Sequence, residues 1–171
     1  MIRSLFRRPP RASGYRVAYE HPTQAIASAF LRALADDDAA GTWERLSERT
    51  RGLLLGLHAA RAGLPLRDAA EAEGEPVRAA LARLRDAALA ALGGRERVNR
   101  FGVSAARLVD RGTAYVLLLP DGRDGIVAED QWRPAHLLAL VHEQREWVVD
   151  LGRTAALSAE AGLPDPLGEL K

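Results

Sequence analysis

The sequence predicts an α+β fold of one domain, with early helices packed against a late antiparallel sheet. Three observations carry that expectation. Apolar residues recur every three or four positions from Ile26 to Leu92, which is helical spacing. From Val98 onward the rhythm becomes extended, and the runs are separated by Asp110-Arg111-Gly112, Pro120-Asp121-Gly122 and Glu143-Gln144-Arg145, which is hairpin chemistry. Strands that follow one another through short turns usually lie side by side, so a meander is expected.

The first helix is expected to begin near Pro22, because a first turn tolerates the missing amide hydrogen. Ile26, Phe30 and Leu34 then form its inward stripe. Asp36, Asp37 and Asp38 interrupt the pattern and offer oxygens to cap a second helix carrying Trp43 and Leu46. The trio reads as a cap and turn, since metal ligands converge from separated positions. Ser47 is placed to cap a third helix through Leu53, Leu54, Leu57 and Ala60, which Gly63 and Pro65 end. A short helical piece is expected at 66–73. Val77, Leu81, Leu84, Ala88 and Leu92 mark a long helix that stops at Gly93-Gly94.

Four strands are expected, at 99–109, 113–119, about 131–142 and 146–151. Pro134 has no amide hydrogen to give a ladder, so it marks a strand start, a bulge or an edge. Tyr115-Val116-Leu117-Leu118-Leu119 and Leu137-Leu138-Ala139-Leu140-Val141 are apolar at both parities. A sheet with two apolar faces needs two covers. Helices supply one, and the other is either the tail from Ala155 to Leu170 or a second copy. A homodimer through the outer face is the expectation.

At 171 residues the chain can bury roughly 70% of the surface its unfolded form exposes. It has no cysteine, which removes disulfides and thiolate metal sites and fits a reducing, cytoplasmic compartment. A net charge of +1 argues against bulk polyanion binding. The charge asymmetry lies in residues 1–20, where Arg3, Arg7, Arg8, Arg11 and Arg16 precede the first acid, Glu20. That basic arm lacks the apolar core of a signal peptide, and it could meet an acidic protein partner. No transmembrane run occurs. Arg95, Arg97, Arg100 and Phe101 make a small basic patch, which reads as a helix-to-strand linker more readily than as a nucleic-acid surface.

Ala29-Phe30-Leu31-Arg32-Ala33-Leu34, the run Trp43-Glu44-Arg45-Leu46-Ser47 through Arg51, and the strands from Phe101 to Leu151 together resemble the NTF2-like superfamily. The resemblance spans residues 21–152, with a longer helical section at 53–92 than many members have, and leaves a tail at 153–171. It implies a cone: N-terminal helices packed in the concave side of a curved antiparallel sheet, around an apolar cavity. Members include ketosteroid isomerases, polyketide cyclases, dehydratases and transport factors, so function rests on the few polar groups in the cavity.

Two readings follow, neither needing a cofactor or a metal. The favoured one is a non-catalytic domain that holds a small ligand or a protein partner. The alternative is a cavity enzyme of the isomerase or cyclase kind, with His136 or Asp150 doing the chemistry; a partner-docking subunit led by the basic arm is a third. Tyr19, Trp43, Tyr115, Trp132 and His142 are the side chains expected to touch a ligand. His136 and His142 share a parity with Leu138 and Leu140, but six residues of strand separate them by about 20 Å, too far to hold one metal. An enzyme should show two polar side chains converging in an enclosed pocket. A scaffold should show the cavity plugged by its own Leu, Phe and Trp residues.

Overall fold

The computed structural model describes residues 21–65, 67–68, 74–120 and 136–165. Helix α1 (Pro22–Asp36) starts at the expected proline, and its N-cap is His21. The imidazole accepts from the Thr23 amide, while the Gln24 side chain accepts from the His21 amide at 3.0 Å, which completes a capping box. Asp37 closes α1 in the left-handed region, and Asp38 caps α2 (Ala39–Glu44) by accepting from Gly41 N at 2.9 Å. The acidic trio is therefore the cap and turn its composition predicts. Ser47 caps α3 (Glu48–Ala62), and Gly63, at φ 67°, ends it. Helix α4 (Glu75–Leu92) buries Leu81, Leu84, Ala88 and Leu92 and stops at Gly93.

Past Gly94 the structure departs from the expected strand at 99–109. Residues 95–100 form a short helix, α5 (Arg95–Arg100), and only then come β1 (Gly102–Val103) and β2 (Arg107–Leu108). Both pair with β3 (Thr113–Leu119) along one edge. Val103 lies opposite Leu118 and Arg107 opposite Tyr115, so the edge strand carries one residue more than its partner, a bulge that bends the edge. Ser104 holds it: its amide donates to Leu117 O at 2.9 Å, and its hydroxyl accepts from Leu117 N at 2.9 Å. From α1, the buried Gln24 amide donates to Ser104 O at 2.9 Å. Polar bonds that replace ladder bonds leave no apolar rhythm, which is why the interruption was not predicted.

Strand β4 (His136–Glu143) pairs with β3 and with β5 (Glu146–Val149), giving an antiparallel sheet in the order β1-β3-β4-β5. It curls strongly into a half-barrel that the helices contact. Val116, Leu118, Leu138, Leu140 and Val149 share its inner face and form one buried cluster with Phe30, Leu34, Leu46, Leu84 and Phe101. The open edge of β5 is covered by the α2–α3 connection, where Ser47 N donates to Val149 O at 2.9 Å and Val149 N to Arg45 O at 2.7 Å.

The last strand ends at Val149, and Leu151 opens a helix, α6 (Leu151–Ala161), where a strand end followed by a tail was expected. That helix packs on β4. Leu117, Leu119, Leu137 and Ala139, at the opposite parity to the inner residues, are buried beneath its Leu157 and the following Leu163. Of the two covers left open by the sequence, the chain's own C-terminal segment is therefore present over these residues. Among the described residues, no helix is long and apolar enough to cross a membrane.

Candidate functional site

The residues expected to carry chemistry are spread over three places. Asp150 sits at the junction of β5 and α6 and is 3% exposed. It is the N-cap of α6: one oxygen accepts from Arg153 N at 2.7 Å, and the other accepts from the Ser47 hydroxyl at 2.9 Å. Ser47 Oγ also accepts from Thr50 N at 3.1 Å, and Thr50 Oγ1 accepts from Leu151 N at 3.0 Å. Asp150 N donates to Ala139 O at 3.0 Å, and Ala139 N donates to the Thr154 hydroxyl at 3.0 Å, so the start of α6 continues the bonding of β4. Ser47, Thr50 and Thr154 are all buried. The junction joins two helix N-termini, where carboxylate oxygens favourably meet backbone donors. Both oxygens of Asp150 face protein donors, an arrangement suited to holding the fold.

His136 lies at the start of β4 on the inner face, 7% exposed, edge-on to Phe101 with ring centres 6.1 Å apart. Its Nδ1 is 3.4 Å from Pro164 O. Burial holds the imidazole below its ordinary pKa; the Pro164 carbonyl opposes this, and the charge of Arg97 adds a smaller lowering. His142 is at the far end of the same face and exposed. It stands edge-on to Trp147 across the β4–β5 pair at 5.2 Å, and His21 meets the same indole at 5.4 Å. The sequence pointed to His142 but not to its two companions. His21 precedes a proline at a helix start, and that capping position was the available signal.

The remaining expected ligand contacts are dispersed. Trp43 is half-buried on α2, with the Arg51 guanidinium 5.5 Å from its ring centre and Arg51 Nε donating to Trp43 O at 3.0 Å. Tyr115 lies on the outer face with Leu117 and Leu137, opposite in parity to His136 and His142. Burial raises its phenol pKa, against a smaller lowering by Arg107. Tyr19, Trp132, Pro134 and the basic-arm residues Arg3, Arg7, Arg8 and Arg11 lie outside the described residues. The structure thus brings His142 together with Trp147 and His21, and leaves His136, Asp150, Trp43 and Tyr115 apart from one another.

A cleft of about 280 Å³ opens elsewhere, between α1, α2 and α4, floored by Leu34, Leu81 and Ala82. At its rim Arg85 forms an ion pair with Asp37 and lies 3.5 Å from Asp86, while Arg78 pairs with Glu75 at 3.3 Å. The hydrogen bond to Asp37 is the leading cause of the raised Arg85 pKa. Trp43, Tyr115 and His142, the described residues expected to contact a ligand, do not line this cleft. Among the described residues, no group of three or more His, Asp or Glu side chains is arranged to hold a metal ion. Comparison with protein-family models, with curated proteins and with solved structures found no match.

Proposed function

We propose that this chain is a non-catalytic NTF2-like domain, a scaffold whose cone is closed by its own side chains and whose work is done through its surface. The order of elements supports the family reading: among the described residues, three helices, a long fourth and a short fifth precede a curled antiparallel sheet that contacts α1. The observation that carries the functional reading is the packing of the inner face. Phe30, Leu34, Phe101, Leu118 and Leu140 are each at most 2% exposed and belong to one cluster with Val116 and Leu138. That is a filled core rather than a lined pocket.

The polar groups support the same reading. An isomerase-type site needs a carboxylate base and hydrogen-bond donors converging on one apolar cavity. Among the described residues, the buried carboxylate, Asp150, is engaged in capping α6, and the buried histidine, His136, faces Phe101 and a backbone carbonyl. The experiment is to incubate the purified chain with a β,γ-unsaturated ketosteroid and follow formation of the conjugated enone. The scaffold reading expects no rate above buffer and no rise in melting temperature with the steroid. Turnover that Asp150→Asn or His136→Gln abolishes, in a variant that still folds, would establish the enzyme alternative instead.

A further inference from the structure

The helix that covers the outer face of the sheet is an unusual cover. Its buried residues are Leu151, which joins the main core, and Thr154 and Ser158, so the buried side chains of the helix after its first residue both carry hydroxyls, with the half-buried Leu157 beside them. The seat beneath it is aliphatic, consisting of Leu117, Leu119, Leu137 and Ala139. Thr154 is satisfied there, since it accepts from Ala139 N and donates to Asp150 O at 2.8 Å. Ser158 is not. Its Oγ is fully buried, and no described residue gives it a hydrogen bond. A buried hydroxyl without a partner favours any state that returns it to water.

Among the described residues, the hydrogen bonds of α6 to other elements are concentrated at its first turn. Its first turn is fixed by the Asp150 cap, by Leu151 N donating to Thr50 Oγ1 and by Thr154 on Ala139. Beyond Thr154, the contacts among the described residues include the half-buried Leu157 and Leu163 and a long His136–Pro164 contact at 3.4 Å, and Asp165 also has a partner. Leu157 and Leu163 pack against a cluster separate from the main core. Segments with few buried apolar contacts open below the free energy of global unfolding.

We propose that α6 is a strap hinged at its first turn, which opens from its C-terminal end and uncovers the outer face of the sheet while the rest of the chain stays folded. The proposal stands apart from the scaffold reading, because it concerns the face opposite the cone. Amide hydrogen exchange on the full chain tests it. After correction for intrinsic rates, amides between Leu157 and Gly162 should exchange about 100-fold faster than the protected amides of α1, with little urea dependence. Ser158→Ala, which removes the orphan hydroxyl without adding bulk, should slow exchange in α6 about tenfold. The proposal is overturned if α6 and α1 exchange at one common rate with the same urea dependence, or if Ser158→Ala leaves the α6 rate where it was.

Discussion

The Ser47 hydroxyl donates to the Asp150 carboxylate across 2.9 Å, so the residues that cap α3 and α6 are also bonded to each other. The pair is 103 residues apart in the chain and holds the last strand, the last helix and the helical section in one place. Removing either partner costs a cap and leaves the other buried without its bond. Ser47→Ala and Asp150→Ala should each destabilise the chain by about 2–3 kcal/mol. The double variant should lose about 1–2 kcal/mol less than the sum, as residues in one network do. Urea unfolding of the four proteins measures this, and additive losses would show that the two caps act independently.

The second prediction concerns Gly41. A Cβ there would run into the Asp38 carboxylate, and that carboxylate is the cap of α2. Alanine normally favours a helix over glycine by about 1 kcal/mol. At this position Gly41→Ala should instead destabilise by about 1 kcal/mol, because Asp38 must give up its bond to make room. A higher melting temperature for Gly41→Ala would contradict the geometry.

The turn between β4 and β5 gives a prediction in the opposite direction. Gln144 and Arg145 have φ of 47° and 74°, the paired left-handed conformation of a tight two-residue hairpin. Neither side chain favours it. Arg145→Gly should stabilise the chain by about 0.5–1 kcal/mol, with the relief of strain exceeding the added freedom of the unfolded chain. Loss of stability on thermal melting would mean that the Arg145 side chain makes a contribution larger than its strain.

His136 sets a pH dependence. Burial depresses its pKa in the folded chain, so the unfolded chain, with an ordinary value near ~6.5, takes up the proton first as pH falls. Its contribution is therefore complete above about pH 6.5 and is lost as the pH drops from there through the lower folded value. His136→Gln should flatten the fall in stability across that window. Urea midpoints measured at a series of pH values check this, and parallel curves for the two proteins would contradict it.

The sequence made the architecture legible where periodicity and caps carry it. Pro22, Asp38, Ser47, Gly63 and Gly93 sit at helix ends as their chemistry demands. The two apolar parities of Tyr115–Leu119 announced two covers, and both are present. What stayed hidden depends on contacts distant in sequence. Ser104 looked like an ordinary strand residue, because the bulge it holds exists only opposite Leu117 and beneath Gln24. Asp150 looked like a base near a strand end, because its partner Ser47 is distant in the chain. Leu151 continues the apolar run of β5, and the short rhythm that follows, with Thr154 and Ser158 facing inward, does not read as an apolar helical stripe.

The account turns on the inner face of the sheet being closed by the chain itself. Val116 lies fully buried at its centre, among Leu118, Leu138 and Leu140. The decisive measurement is the unfolding free energy of Val116→Phe, which adds a ring to that space. A filled core predicts a loss of about 1–3 kcal/mol from overpacking. Unchanged or increased stability would show that room for a ligand exists there, and would contradict the scaffold reading.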